Sequence, residues 1–225
     1  LTSTEIKNLK KIVVLACGTA YHAGMVAKYA IEKWSHIPVE VELASEFRYR
    51  DPIVDKETLV IAISQSGETM DTLMALRHAK EAGAKVLAIC NTNSSTIPRE
   101  SDAVIYTHAG PEIAVASTKA FLTQVVATYL IGLYLGQAVG TLTERQIEAL
   151  YNEMLELPAK IEQILETVEP LRELTRSFAD SSSVLFLGRH VGYPVALEGA
   201  LKLKELAYMH AEGFAGGELK HGPIA

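Results

Sequence analysis

Acidic and basic residues near the carboxyl end of the chain stand at a spacing suited to proton transfer. Glu198, Lys202 and Glu205 occupy positions i, i+4 and i+7, which share one face of a helix. An exposed ladder of ion pairs is the common alternative interpretation of such a row. The following segment favours a catalytic role for the row, because His221 stands in a Gly-rich stretch that predicts an irregular loop. A histidine that titrates near neutral pH can open a sugar ring by acid–base catalysis.

A second concentration of small and hydroxylated residues predicts an anion site. The segment Ser64-Gln65-Ser66-Gly67-Glu68-Thr69 joins an apolar stretch to a helical one and carries no basic residue. Free N–H groups at a helix N-terminus attract an anion. The segment has neither Gly-Lys-Ser/Thr nor Gly-x-Gly-x-x-Gly, so a single phosphate monoester is favoured over a triphosphate or a dinucleotide. Helix capping by the same residue types is the alternative interpretation.

Two further loops resemble this phosphate loop in composition. They are Cys17-Gly18-Thr19-Ala20 and Val115-Ala116-Ser117-Thr118-Lys119. In a doubly wound sheet the ligand lies at the carboxyl ends of the strands, so these loops are expected near the phosphate. We interpret Cys17 as a packed small residue rather than a nucleophile. The sequence has no His-x-x-x-His spacing or Cys/His cluster, and we expect no metal site.

The elements that must position these loops alternate between strand and helix. Strands are predicted at 12–16, 39–43, 58–63, 85–89 and 103–107, and helices at 21–34, 69–82 and 117–136. Continuous apolar runs separated by helices are typical of parallel βαβ units. The predicted fold class is therefore α/β, a doubly wound parallel sheet flanked by helices, over residues 1–140.

The remainder of the chain is predicted to connect to a second lobe. Residues 141–182 form connecting helices, with a capping box from Thr143 to Gln146 and a break or kink at Pro158. Residues 183–225 repeat the opening pattern of a short apolar strand, a glycine and a helix, and we expect the start of a second, similar domain there. One strand and one helix are predicted in that part, with the domain truncated at its carboxyl end.

Composition excludes several classes of protein. The chain has 225 residues, 48% hydrophobic and 21% charged, with a net charge of −6. No basic cluster suits a nucleic acid, and two cysteines cannot form a disulfide framework, which favours reduced thiols in the cytoplasm. The apolar stretch 120–139 is interrupted by Gly, Thr and Gln, so we predict a core helix rather than a membrane span. The polar first residues predict no signal peptide.

The ordered set of motifs resembles a known family. It comprises Cys17-Gly18-Thr19, Ser45 to Arg50, Ser64 to Thr69, Val115 to Phe121, Tyr193-Pro194, Glu198 to Glu205 and Glu218 to Pro223. From about Lys11 to Ala225 the chain is similar to the sugar isomerase (SIS) family, and within it to the isomerase half of the glucosamine-6-phosphate synthases. Those enzymes are glutamine–fructose-6-phosphate aminotransferases. The resemblance implies a flavodoxin-like SIS domain.

The resemblance implies that different loops bind the phosphate and the sugar. The phosphate would be held by Ser64, Gln65, Ser66 and Thr69. The sugar would be contacted by Thr19 and Ser117, with Gly18 and Val115 beside them.

The resemblance also implies roles for the acid–base residues. Glu205 would be the base that moves a proton between C1 and C2 of the aminated intermediate, and Lys202 would assist it. His221 would help to open the ring, reaching the site from the neighbouring subunit of a homodimer, and Glu198 would orient that histidine. An aldose–ketose shift of this kind needs a carboxylate base and nearby donors, without a metal.

The implied activity converts fructose 6-phosphate to glucosamine 6-phosphate, with ammonia from a glutaminase domain as partner. No cofactor, nucleic acid or membrane is implied. An amino-sugar-phosphate deaminase or isomerase of the same family and a non-catalytic sugar-phosphate sensor are the alternatives, although a sensor needs neither Glu205 nor His221.

The chain departs from the family pattern in several places. Ala20 replaces the usual serine and removes a hydroxyl near the sugar, and His190 replaces a usual glycine. The family's carboxyl-terminal tail, with the lysine that forms a Schiff base, and the cysteine nucleophile of the glutaminase domain are expected to be absent.

Overall fold

A computed structural model describes residues 2–224 and confirms the alternation of strands and helices. The strands are β1 (Lys11–Ala16), β2 (Val39–Leu43), β3 (Thr58–Ser64), β4 (Lys85–Cys90), β5 (Ala103–Tyr106), β6 (Ser183–Gly188) and β7 (His210–Ala215). The helices are α1 (Ser3–Lys7), α2 (Gly18–Ser35), α3 (Ala44–Phe47), α4 (Met70–Glu81), α5 (Thr96–Glu100), α6 (Lys119–Val139), α7 (Glu144–Leu155), α8 (Leu157–Leu165), α9 (Val168–Arg176) and α10 (Gly192–Ala207). A 3₁₀ turn follows at Glu218–His221.

The first five strands form one parallel sheet in the order β2-β1-β3-β4-β5. Every residue of β3 is buried, as expected for a central strand covered on both faces. The strand order reverses between β1 and β3, where the loops after the two strands diverge and leave a crevice. The predicted doubly wound parallel sheet is confirmed.

Helices cover both faces of this sheet. The helices α2 and α6 pack together over one face, and α3, α4 and α5 lie on the other. The contact between α2 and α6 is close at Gly132, where a Cβ atom would lie 2.8 Å from the Trp34 ring. This contact holds the carboxyl-terminal end of α2 against the second half of α6.

Among residues 2–224, one helix, α6, is long and apolar enough to cross a membrane by length and composition alone. In the fold it carries a buried stripe that faces the sheet and α2. A core helix passes the same test, and the predicted core position is confirmed.

The first lobe, residues 2–140, and the second lobe, residues 183–224, are connected by helices. Thr143 and Gln146 form the predicted capping box, and the helix breaks between α7 and α8, next to Pro158. None of the described residues in α7, α8 or α9 is buried. Their apolar side chains are therefore left at the surface.

The second lobe contains one more strand than the sequence predicted. The strand β7 pairs in parallel with β6, and α10 packs on both. The prediction of a single strand is wrong because the His210–Ala215 segment, with alanines and a glycine, lacks the β-branched run that marks β1 or β3. His221 lies in a 3₁₀ turn rather than in an irregular loop.

The two lobes meet where α10 packs against α2. Next to this contact, His190 has a left-handed backbone (φ 52°), a conformation that suits the glycine usual at this position. Its ring packs on Tyr29 of α2 with centroids 4.5 Å apart. The substitution thus adds an aromatic contact between the lobes.

Candidate active site

A crevice at the carboxyl ends of β1 and β3 brings the three small-residue loops together. Its volume is about 180 Å³. It is lined by Cys17, Thr19, Ala20, Ile63, Ser64, Gln65, Ser66, Thr69, Ser117 and Gln124. Gly18 opens α2 with φ +56°, and α2 begins three residues earlier than predicted, so Thr19 stands in its first turn. Val115 does not line the crevice, and its side chain is 91% exposed.

A larger cavity of about 440 Å³ lies at the amino ends of β3, β4 and β5. It is mainly apolar and contains none of the predicted site residues. Ligands of open α/β sheets bind at the carboxyl ends of the strands, and we therefore assign the site to the smaller crevice.

The phosphate loop folds back on its own hydroxyl groups. Ser64 Oγ lies 3.0 Å from Thr69 Oγ1 and accepts a hydrogen bond of 3.0 Å from the Gly67 backbone N–H. Ser66 Oγ accepts one of 3.2 Å from the Glu68 backbone N–H. Thr69 is the N-cap residue of α4, but its side chain makes no capping bond. The first turn of α4 thus keeps N–H groups available for an anion.

The segment 91–97 holds the loop in place. The Gln65 carbonyl accepts hydrogen bonds from the backbone N–H of Asn91 (3.2 Å) and the hydroxyl of Thr92 (3.3 Å). The Gly67 carbonyl accepts one of 2.9 Å from the Ile97 N–H. Gly67 has φ +68°, and a Cβ atom there would overlap the Ser95 hydroxyl. Sequence reasoning missed this support, because its contacts are mostly backbone groups and leave no residue pattern.

The Glu68 carboxylate adds a hydrogen bond to the same segment. Its Oε1 accepts a hydrogen bond of 2.8 Å from the Thr96 N–H, at the start of α5. The hydrogen bonds from Thr96 lower the pKa of the Glu68 carboxyl below its usual range, with Arg99 nearby acting in the same direction. The carboxylate is therefore the favoured form in the fold.

The predicted acid–base row forms one face of α10. Lys202 Nζ lies 2.6 Å from Glu205 Oε2 and 3.3 Å from Glu198 Oε1. It also donates a hydrogen bond of 3.0 Å to Thr19 Oγ1, which lines the crevice. Glu205 Oε2 is shielded from solvent and meets Lys202 as an ion pair without the angles of a hydrogen bond. The row is thus half-buried against α2 rather than an exposed ladder.

Glu198 is the most buried member of the row, with 6% of its surface exposed. Its Oε1 accepts a hydrogen bond of 2.9 Å from the Thr19 hydroxyl, and its Oε2 lies 2.7 Å from Nδ1 of His22. Sequence reasoning set His22 aside, although it follows Thr19 by three positions on α2 and so shares its face. A burial pattern alone does not distinguish such a histidine from a packed one.

His221 stands apart from this network within the single chain. Among residues 2–224 it makes no hydrogen bond or ion pair with Glu198, Lys202 or Glu205. The histidine beside Glu198 is His22. A role for Glu198 in orienting His221 remains a prediction, as does delivery of His221 from a neighbouring subunit.

In the part of the chain that the structure describes, no group of three or more His, Cys, Asp or Glu residues is placed to hold a metal ion. Both cysteines are free thiols, and Cys17 Sγ lies 4.0 Å from the Thr72 hydroxyl. The groups at the crevice are hydroxyls, amides, helix N-termini and the charged face of α10.

Comparison with known proteins shows which sequences and structures the chain is similar to. A sequence model of the SIS domain matches residues 5–134 and 177–225. Two proteins named glutamine–fructose-6-phosphate aminotransferase (isomerizing) are similar: one from Streptomyces coelicolor is 71% identical over 220 residues, and one from Mycobacterium tuberculosis is 67% identical over 225. The matches cover 98% and 100% of this chain, but 36% of each relative.

A solved structure is similar over nearly the whole chain. It is the C-terminal domain of glucosamine-fructose-6-phosphate aminotransferase from Francisella tularensis, with a TM-score of 0.96 and 45% identity. The match covers 99% of this chain and 62% of that structure. The chain thus spans about a third of the length of the curated relatives it matches.

Proposed function

The chain belongs to the SIS domain family, and from this premise we propose that it is the sugar-phosphate isomerase portion of a glutamine–fructose-6-phosphate aminotransferase. The proposed reaction converts fructose 6-phosphate and ammonia to glucosamine 6-phosphate. High identity to proteins of that name supports the proposal. It extends to this chain an activity printed for longer relatives.

One observation carries the proposal. The row on α10 contacts the crevice at Thr19, which is hydrogen-bonded to both Glu198 and Lys202, and Lys202 forms an ion pair with Glu205. A sugar whose phosphate lies on the Ser64–Thr69 loop would extend from the loop toward this row. A sensor needs the loop alone, whereas an isomerase needs a base within reach of C1 and C2.

The chemistry follows from the groups in place. After ring opening, ammonia adds at C2 of the ketose, and loss of water leaves an imine. Glu205 removes a proton from C1 while the imine nitrogen takes one up, which gives an enamine. A proton then returns to C2 and the C1 hydroxyl loses its proton, so that C1 becomes an aldehyde and C2 carries the amine. Lys202 and Thr19 provide donors for the oxygen that gains charge in the enamine intermediate.

We further propose the partners of this half. Ammonia would come from a glutaminase domain, and His221 would reach the site from the second subunit of a homodimer. Location in the cytoplasm is proposed from the two free thiols, since disulfides are rare there.

The experiment that tests the function uses fructose 6-phosphate in D₂O, with ammonium chloride in place of glutaminase. We expect binding by calorimetry and deuterium exchange at C1 followed by NMR, with glucosamine 6-phosphate formed when ammonium is present. Binding without exchange would indicate a sensor. Ammonia release from glucosamine 6-phosphate, with no reaction in the forward direction, would indicate a deaminase. Failure to bind any sugar phosphate would overturn the proposal.

A further inference from the structure

One polar side chain of α6 is buried without a partner. Gln124 is 2% exposed, and its Oε1 has no hydrogen-bond partner among the described residues. It lies on the core-facing stripe of the helix, four residues after Ala120 and three before Ala127. The other positions of this stripe that pack on the sheet are mainly apolar, so packing alone would be served better by a residue such as leucine or methionine.

A second buried polar residue of α6, Thr128, finds its hydrogen-bond partner within the helix. The Thr128 hydroxyl donates a hydrogen bond of 2.7 Å to the Val125 carbonyl, and its side chain is fully buried. Buried polar groups are nearly always paired in this way, and an unpaired one costs folding free energy. The unpaired Oε1 atom of Gln124 therefore needs an explanation that Thr128 does not.

The position of Gln124 supplies that explanation. Its side chain lines the candidate active-site crevice together with Ser64, Thr69 and Thr19. Ala20 lines the same crevice and offers no polar side-chain atom there. Gln124 was not among the residues that the motifs indicated, because it stands five residues inside an apolar helix rather than in a loop.

The geometry points to Gln124 as a sugar-recognition residue, whose amide forms a hydrogen bond with a hydroxyl group of the sugar bound in the crevice. An amide carries a carbonyl acceptor and two N–H donors, and its last torsion is soft, so a half-turn presents either side. A hydroxyl group also donates and accepts. Phosphate oxygens accept but do not donate and would leave the carbonyl oxygen unpaired, so a sugar hydroxyl group is the better match. The inference rests on the proposed function, because it takes a sugar phosphate as the ligand.

The test compares Gln124→Met with Thr128→Val, a matched change of a buried polar residue on the same helix outside the crevice lining. Calorimetry measures the affinity of the whole chain for fructose 6-phosphate and for inorganic phosphate. We expect Q124M to weaken fructose 6-phosphate binding roughly twofold to tenfold, the range for one neutral hydrogen bond. Phosphate affinity should be unchanged, and T128V should leave both affinities unchanged.

Thermal unfolding separates binding from structure. Methionine fills a similar volume without an unpaired acceptor, so Q124M should have a Tm equal to or above that of the unsubstituted chain. Equal losses for both ligands, or no loss for either, would overturn the role of Gln124 while leaving the proposed function intact. A lower Tm with unchanged sugar affinity would assign the residue to folding and would also overturn it. If the unsubstituted chain bound phosphate but no sugar phosphate, both proposals would fail.

Discussion

The Nδ1 atom of His22 lies 2.7 Å from Oε2 of Glu198, and this contact joins α2 of the first lobe to α10 of the second. Both side chains are largely buried. Because Thr19 bonds the other oxygen of the same carboxylate, Glu198 is held on two sides by α2. The face of α10 that carries the candidate base is thereby set against the phosphate crevice.

Replacing His22 by leucine should destabilise the chain by about 1–3 kcal/mol, because a buried carboxylate oxygen loses its partner. Urea unfolding of H22L measures the change. The matched control is His210→Leu, because the His210–Glu212 pair is exposed and exposed pairs contribute about 0–1 kcal/mol. Equal effects of the two changes would contradict a structural role for the His22–Glu198 contact. His22→Asn keeps a donor and should recover part of the loss.

Replacing Glu205 by glutamine should lower deuterium exchange at C1 by roughly 10²- to 10⁴-fold, the usual contribution of a general base. Affinity for fructose 6-phosphate should change little, since the amide keeps the shape of the side chain. NMR in D₂O measures the exchange. Glu212→Gln serves as control because Glu212 is exposed on β7. Exchange at the unsubstituted rate in E205Q would assign the base elsewhere.

Gly67→Ala should weaken phosphate binding by about tenfold or more and lower stability by about 1–3 kcal/mol. The new Cβ would overlap the Ser95 hydroxyl, and φ is +68°, a region that costs a non-glycine residue energy. Calorimetry with inorganic phosphate and urea unfolding provide the two measurements. Gly83→Ala is the control, because Gly83 also has positive φ but its nearest neighbour is 3.9 Å away. Phosphate affinity equal in G67A and G83A would refute the assigned support of the loop.

Glu68 should make stability depend on pH. Its pKa is lowered in the fold by hydrogen bonds from Thr96, so its contribution is present above the unfolded pKa of about 4.3 and is lost as pH falls through the lower folded value. Urea unfolding of Glu68→Gln and the unsubstituted chain should therefore differ at pH 6 to 7 and converge as pH falls below about 4. A difference that stayed constant across this range would show that the charge of Glu68 does not stabilise the loop.

The proposed shared site predicts complementation between two inactive variants. Glu205→Gln and His221→Ala should each be inactive alone, because each lacks one of the two groups. In a mixed dimer one of the two sites contains both intact residues, so random mixing should restore about a quarter of the activity of the unsubstituted dimer. Sedimentation measures whether each sample is dimeric. A dimer that shows no recovery on mixing would place Glu205 and His221 in the same subunit's site.

The sequence predicted the first lobe well because its signals are strong and local. β3 is a continuous apolar run buried along its length, and the caps of α7 use side chains with known preferences. β7 was missed, since its alanines and glycine carry little strand propensity. It is a strand because β6 and α10 lie against it, and such tertiary contacts override local preference.

For the site, the sequence predicted which residues carry charge and which loops carry hydroxyls. The spacing on α10 was enough to place Glu198, Lys202 and Glu205 on one face. It could not reveal that His22 and Gln124 face the same region, because both relationships depend on packing between distant segments. A buried histidine and a buried glutamine in a helix have no local pattern that distinguishes contact with a ligand from contact with the core.

The bond between Thr19 and Glu198 spans 179 positions of the chain, and this separation has a consequence for the order of folding. Contacts between distant segments form only after the entropy of closing a long loop has been overcome. The first lobe contains its own core, so it can form before α10 docks on α2. We therefore expect docking to be the last step of folding and its reversal to be the first opening of the native protein. A ligand that touches both lobes would slow that opening, since binding favours the docked form by mass action.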